Sequence, residues 1–146
     1  MLFLYIFGRI VEKDFGPKIL PVYFGSAIIS DIVSALFNQG GIGASGAIAG
    51  LISTAILMHP FYVTYLVAGI PLPIIVVGWL AILGDITGIL IPKNDNIGHF
   101  AHLGGYLAIT LLVFLFNPEQ KKKMRIGLIV NVLFIATVAF YWFFIR

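Results

Sequence analysis

Two residues of this chain have side chains suited to hydrolysis. Ser45 stands in the run Gly43-Ala44-Ser45-Gly46, at the start of an apolar segment, and His102 stands near the start of a later apolar segment. A serine hydroxyl attacks a carbonyl when a neighbouring base takes its proton and N–H donors stabilise the oxyanion. A neutral imidazole is such a base. The sequence therefore offers a nucleophile and a base, provided that the fold brings them together.

A helix that begins at Ser45 would supply the oxyanion donors. The first backbone N–H groups of a helix lack partners within the helix, and the helix dipole favours negative charge there. Gly43 and Gly46 would support this site by letting a substrate backbone approach closely. The alternative is that Ser45 only caps its helix, with Gly46 and Gly50 forming a small-residue packing face.

Other ionisable residues in the apolar segments leave two further chemistries open. His99 lies three residues before His102, but no HExxH motif or nearby carboxylate cluster completes a metal site, so we expect no metal and no other cofactor. Asp31 and Asp85 could form an acid–base dyad, and Gly84-Asp85 resembles part of the motif of presenilin-like aspartyl proteases. The rest of that motif is missing, so we expect both aspartates to form hydrogen bonds between helices.

The elements that must position these residues are membrane helices. Of the 146 residues, 60% are hydrophobic and only 10% are charged, whereas a soluble domain carries roughly a quarter charged residues. The net charge of +3 is better explained by loop charges that orient helices than by a nucleic-acid-binding surface. The chain has no cysteine, which excludes disulfides and thiolate chemistry.

Five apolar segments predict five full membrane spans. They are residues 19–37, 44–58, 74–91, 99–116 and 126–145. The second would be only about 22 Å long as a helix, so one of its ends should lie below the membrane surface. Residues 2–7 predict a partial first helix before a charged stretch, and residues 61–73 predict an interfacial connection. The predicted fold is an all-α, polytopic transmembrane helical bundle that forms one domain over residues 1–146.

Basic residues predict the orientation of this bundle. If the segments alternate in direction, most lysines and arginines lie on one side, at positions 9, 13, 18, 121, 122, 123 and 125. This side should face the cytoplasm, because cytoplasmic loops carry an excess of such residues. His59 is expected in a loop on that side. Ser45 and His102 should then open two different helices at the same depth on the non-cytoplasmic side.

Three motifs together resemble those of the rhomboid family of intramembrane serine proteases. In family order they are Phe7-Gly8-Arg9-Ile10-Val11-Glu12, Gly43-Ala44-Ser45-Gly46-Ala47-Ile48 and Ala101-His102-Leu103-Gly104-Gly105. The resemblance covers residues 1–116 as a rhomboid core that lacks its first helix, and residues 126–145 look like an additional C-terminal transmembrane helix. It implies a Ser–His dyad without a third acid, which cleaves transmembrane segments of other proteins and needs no metal or ATP.

The resemblance also assigns roles to particular residues. Ser45 matches the nucleophile, His102 the base, and Gly43 the small residue beside the oxyanion site. Gly105 matches the first glycine of a packing motif, and Gly104 and Gly105 would let their helix approach the Ser45 helix closely. A substrate helix would have to unwind locally, because its peptide groups are otherwise hydrogen-bonded. Water would enter from the non-cytoplasmic side.

The chain departs from the family pattern in three places. Ile109 replaces the second packing glycine, although Ala108 is adjacent. Ala49 stands where an aromatic residue often stacks on the base, so we expect His102 to be held less firmly. The first helix and the oxyanion asparagine of the family would precede Met1. We therefore expect Met1 to be an internal methionine of a longer reading frame, or the gene to be cut, and the loss of that donor to cost about 100- to 1000-fold in rate.

Two other functions stay open beside the protease. The first is a catalytically impaired rhomboid-like protein that binds transmembrane helices, and the presence of both Ser45 and His102 argues against it. The second is a small transporter or channel subunit, which would need more inward charge than Asp31 and Asp85 provide. The expected partners are the lipid bilayer and membrane-protein substrates with a transmembrane helix, without nucleic acid. The expected location is the plasma membrane, which the chain crosses several times.

Overall fold

The computed structural model describes residues 2–37, 43–67, 69–91, 97–116 and 118–144. The described residues form six α-helices, which are α1 Leu2–Phe15, α2 Ile19–Leu36, α3 Ser45–Met58, α4 Ile74–Leu90, α5 His99–Phe116 and α6 Lys121–Phe144. Short 3₁₀ turns, Gly16–Lys18 and Pro118–Gln120, precede α2 and α6. The predicted breaks at residues 38–42 and 92–96 lie outside the described residues.

Most of the predicted apolar segments are helices with nearly the expected bounds. The bounds of α5 are those predicted, and α4 ends one residue earlier than expected. Two helical stretches, Leu2–Leu36 and Lys121–Phe144, are long and apolar enough to cross a membrane, and Ser45–Met58 and Ile74–Leu90 are shorter apolar helices. The predicted helices are therefore confirmed, and the five full membrane spans stay a prediction.

The charged stretch after residue 7 does not end the first helix. The side chains of Phe7, Ile10, Val11 and Phe15 are buried at helical spacing, while Arg9, Glu12 and Lys13 are exposed. Gly16, with a φ of 50°, then breaks the helix. The sequence prediction ended α1 at residue 7, because only the continuous apolar run was used as a criterion. The amphipathic face that continues to Phe15 was not considered.

The connection at residues 61–73 contains a β-hairpin that the all-α prediction did not include. Strands β1 (Val63–Val67) and β2 (Ile70–Pro73) pair in antiparallel fashion, with Thr64 opposite Leu72. Gly69 lies in the turn with a φ of 76°, a conformation that favours glycine. β2 leads directly into α4, so the hairpin fixes where that helix begins.

Helix α3 is the centre of the bundle, because all five other helices contact it. Nearly all of its residues are buried, and small residues bring its neighbours close. A Cβ atom at Gly46 would overlap Ser30 of α2, and one at Gly50 would lie 2.7 Å from the Cβ atom of Ser26. Ser30 Oγ donates a hydrogen bond to the carbonyl oxygen of Ala101, at 2.7 Å, which links α2 to α5.

The two glycines of α5 face different helices. A Cβ atom at Gly105 would overlap the carbonyl oxygen of Gly46, so Gly105 lets α5 approach α3 as predicted. A Cβ atom at Gly104 would instead lie 2.8 Å from the Cβ atom of Val33 on α2. The prediction for Gly104 was wrong, because consecutive residues of a helix point about 100° apart. Gly104 brings α5 close to α2.

Candidate active site

Ser45 is the first residue of α3, and Ala44 occupies the N-cap position. The alternative in which Ser45 caps the helix is therefore not the observed arrangement. Gly43 precedes the helix with a φ of 144°, which few residues other than glycine adopt. The first turn of α3 closes with the N–H of Ile48 donating to the Ala44 carbonyl, at 3.0 Å. The N–H groups before Ile48 thus have no acceptor within the helix.

Ser45 and His102 line the same cavity, which has a volume of about 580 Å³. Side chains from four helices also line it, among them Phe3 of α1, Ala49 of α3, Asp85 of α4 and Tyr106 of α5. Among the described residues, no hydrogen bond joins Ser45 to His102. Such bonds are often long before a substrate binds and tighten in the reacting complex. The structure thus brings the predicted nucleophile and base to one cavity.

Asp85 accepts hydrogen bonds from three side chains of α5. His102 Nδ1 and His99 Nδ1 each lie 2.8 Å from Asp85 Oδ1, and the Tyr106 hydroxyl donates to Oδ2 at 2.7 Å. The predicted helix-to-helix bonding of Asp85 is therefore confirmed. The same prediction for Asp31 was wrong, because Asp31 is exposed on α2 and has no hydrogen-bond partner in the part of the chain that the structure describes.

The spacing of residues along α5 creates this arrangement. His99, His102 and Tyr106 are three and four residues apart, so they share one face of the helix. On α4, a Cβ atom at Gly88 would overlap the ring of His99, so glycine lets the two helices close. The resemblance implied a dyad without an acid, and Ala49 suggested a loosely held base. Both expectations missed Asp85, which contacts His102 directly.

The same three residues have the composition of a metal site. Asp85, His99 and His102 each offer one ligand atom, and these atoms lie within 4.8 Å of one another. The sequence argument against a metal relied on the lack of an HExxH motif and of a nearby carboxylate cluster. It did not consider Asp85, which precedes the histidines by 14 and 17 residues and reaches them from another helix. In the structure, both histidines are hydrogen-bonded to the carboxylate oxygen.

A second polar cluster lies at the other end of α3. His59 Nε2 is 2.6 Å from Asp14 Oδ2, and Lys123 Nζ is 2.9 Å from Asp14 Oδ1. The contacts join the end of α1, the end of α3 and the start of α6. The basic start of α6 therefore lies at the same end of the bundle as the charged end of α1, as the predicted orientation requires.

A bundle of apolar helices around a cavity lined by serine, histidine and aspartate defines an integral membrane protein with a candidate hydrolytic site. The family model of the rhomboid domain matches residues 1–119. The chain belongs to the rhomboid family, as its three motifs predicted.

Two curated relatives come from Arabidopsis thaliana. The chain is 32% identical over 126 residues to "RHOMBOID-like protein 12, mitochondrial", an alignment that covers 72% of the chain and 37% of that protein. It is 38% identical over 128 residues to "RHOMBOID-like protein 1", with 82% of the chain and 31% of that protein covered. The chain thus spans about a third of the length of these relatives. No solved structure matches it.

Proposed function

We propose that the chain is an intramembrane serine endopeptidase that cleaves transmembrane segments of membrane proteins. The observation that carries the proposal is the single cavity that Ser45 and His102 line together. Membership of the rhomboid family adds support, because the same residues match the nucleophile and the base of the family motifs. The substrates are membrane proteins whose transmembrane helix unwinds locally to expose a peptide bond.

The proposed reaction is acyl transfer through Ser45. His102 takes the hydroxyl proton as Ser45 Oγ attacks the scissile carbonyl, and then passes the proton to the leaving nitrogen. Backbone N–H groups at the start of α3 stabilise the oxyanion, and Gly43 leaves room for the substrate backbone. Gly46 packs closely against Ser30 of α2, so it supports the site by positioning α3 and not by contacting the substrate. Water that enters the cavity then attacks the acyl-enzyme. His102 takes a proton from the water and returns it to Ser45 Oγ as the ester bond breaks.

The proposed membrane arrangement follows from the apolar helices and the basic residues. Helices α2 to α6 cross the bilayer, α1 crosses it in part, and residues 1–146 form one domain in which α6 is the additional C-terminal helix. We place the cavity at the non-cytoplasmic side of the plasma membrane, because the cluster of Asp14, His59 and Lys123 lies at the opposite end of α3.

A serine-directed probe and a model substrate test the proposal together. The chain is reconstituted in lipid nanodiscs and treated with a fluorophosphonate probe or with a single-span membrane protein. We expect wild type to be labelled and to cleave, and Ser45→Ala to do neither. Ser26→Ala is a matched control, because it removes a buried hydroxyl that has no hydrogen-bond partner among the described residues. Equal cleavage by Ser45→Ala and wild type would refute the proposed nucleophile.

The second candidate is a rhomboid-like protein that binds transmembrane helices without cleaving them. The names of the two Arabidopsis relatives, which say only that they are rhomboid-like, are compatible with this candidate. Binding of the single-span protein to wild type, without probe labelling and without cleavage, would favour this candidate.

A further inference from the structure

We propose that Asp85 is a positioning residue that orients His102 and stabilises its protonated form. The inference rests on the proposed function and extends the dyad to a triad of Ser45, His102 and Asp85. His99 and Tyr106 hold the Asp85 carboxylate in place. None of the three family motifs includes Asp85, so its role comes from the contacts between α4 and α5.

The hydrogen bond from His102 to Asp85 determines which nitrogen is basic. An ionised carboxylate can only accept hydrogen bonds, so a neutral His102 carries its proton on Nδ1, which lies 2.8 Å from Asp85 Oδ1. The other ring nitrogen, Nε2, is then unprotonated. His102 and Ser45 line one cavity, so Nε2 is the atom available to the serine proton. Without Asp85, no carboxylate would favour one tautomer, and the His102 ring could carry its proton on either nitrogen.

Two other donors fix the position of the carboxylate. His99 Nδ1 donates to Oδ1, which also accepts from His102, and the Tyr106 hydroxyl donates to Oδ2. Asp85 is only 8% exposed, and a buried carboxylate is tolerated when hydrogen bonds replace its hydration. Rotation of the carboxylate would break these bonds, so the carboxylate stays directed at His102. This support replaces the aromatic stacking that Ala49 cannot provide.

Asp85 matters most while His102 holds the extra proton. As the bond between Ser45 Oγ and the carbonyl carbon forms, the hydroxyl proton moves to Nε2 and the carbonyl electron pair moves to oxygen. The imidazolium then lies beside a carboxylate in surroundings where charges interact more strongly than in water. When the C–N bond breaks, the proton passes from Nε2 to the leaving nitrogen. Asp85 itself gains no proton.

Steady-state kinetics of Asp85→Asn test this role. We expect kcat to fall by up to about 10,000-fold, the size of the effect of the equivalent change in a soluble serine protease triad, with little change in KM. Asp31→Asn is the matched control, because Asp31 is an exposed carboxylate on α2. Its kcat should equal that of wild type. Thermal unfolding of each variant in nanodiscs shows whether the protein remains folded.

The tautomer of His102 is a second readout, and it does not depend on activity. Nitrogen-15 NMR of histidine-labelled protein, assigned with His99→Gln and His102→Gln, distinguishes a protonated from an unprotonated ring nitrogen. We expect His102 of wild type to carry hydrogen on Nδ1 and to have a free Nε2. In Asp85→Ala, a substantial part of the His102 signal should move to the other tautomer. The wild-type spectrum alone tests the inference if the variants fail to fold.

Three results would overturn the inference. The first is an Asp85→Asn variant with the kcat of wild type, while Ser45→Ala is inactive. This result would refute the role of Asp85 and leave the proposed protease function standing. A His102 that carries its proton on Nε2 in wild type would do the same. Cleavage that needs a divalent metal and is lost on adding EDTA would make Asp85, His99 and His102 metal ligands. An active Ser45→Ala would instead refute the proposed function itself.

Discussion

At the scale of single residues, glycines determine how closely the helices around the cavity pack. Gly105 lies against the backbone of α3, and Gly88 lies against the ring of His99. Larger residues at these positions would separate α5 from its two neighbours. The hydrogen bonds of Asp85, at 2.7 to 2.8 Å, therefore depend on residues that carry no polar side chain.

Two glycines of α4 allow a matched test of this packing. Gly88→Ala should place a methyl group against the His99 ring, and the overpacking should lower the free energy of unfolding by about 1–3 kcal/mol. Gly84→Ala, one turn earlier, has open space around its Cβ atom and should be neutral or stabilising by up to about 1 kcal/mol. Denaturant titration in micelles measures both. An equal effect of the two substitutions would contradict the assigned contact.

Sequence reasoning identified part of the site. Ser45 and His102 stood out because both lie at the start of apolar segments and match family motifs. The partnership of Asp85 with His102 could not be predicted, because it depends on how α4 and α5 rotate against each other. A usable signal was present in His99, His102 and Tyr106, whose spacing places three donors on one helix face. Together with a lone aspartate in the preceding helix, this pattern predicts a shared carboxylate.

At the scale of elements, Asn131 attaches α6 to the rest of the bundle. Its Nδ2 donates to the carbonyl oxygens of Ile56, at 2.9 Å, and Gly127, at 2.8 Å, and its Oδ1 accepts from Trp79 Nε1 at 2.8 Å. A Cβ atom at Gly127 would overlap the carbonyl oxygen of Leu57, so α6 lies directly against α3. A buried amide and a glycine thus hold α6 against α3 and α4.

Removing the amide should loosen α6. Asn131→Ala leaves the indole N–H of Trp79 without its acceptor, and we expect a loss of about 1–2 kcal/mol, which is typical of strong polar contacts between membrane helices. Val132→Ala is the control, because Val132 is exposed on the next position of α6. Unfolding free energies from denaturant titration in micelles should separate the two. If both variants lose the same free energy of unfolding, apolar packing and not the Asn131 hydrogen bonds holds α6 in place.

The sequence predicted the existence of elements better than their ends. Continuous apolar runs located α4 and α5 closely, since a bilayer requires such runs. The same criterion ended α1 too early and began α6 five residues too late, because charged residues can continue a helix beyond its apolar part. The hairpin at residues 63–73 was missed, since its strands pair only after the chain reverses at Gly69.

At the scale of the whole molecule, two hydrogen-bonded clusters of ionisable side chains lie at different levels of the bundle in the part that the structure describes. Asp85 and its partners lie at the cavity, and the cluster of Asp14, His59 and Lys123 lies at the other end of α3. The second cluster joins three helix ends that are far apart in sequence. It fixes the register of α1 and α6 against α3, while the first fixes α4 against α5.

The charge of Lys123 should contribute to stability through Asp14. Both side chains are partly exposed, so we expect Lys123→Met to cost no more than about 1 kcal/mol. Lys122→Met removes the same charge from the same turn, at an exposed position, and should be close to neutral. A double-mutant cycle with Asp14→Asn isolates the pair. Coupling that is absent from this cycle would show that the contact adds nothing to stability.

For the proposed protease, the bonds between Asp85 and α5 restrict how a substrate helix can reach Ser45. A substrate helix that entered between α4 and α5 would separate them. It would break the hydrogen bond between Asp85 and His102 before the scissile peptide bond reached Ser45. The cavity also extends to Phe3 on α1 and Leu80 on α4, and entry between those two helices would not require α4 to separate from α5. Lateral passage should therefore run between α1 and α4, and a crosslink across that gap should block large substrates while small probes still label Ser45.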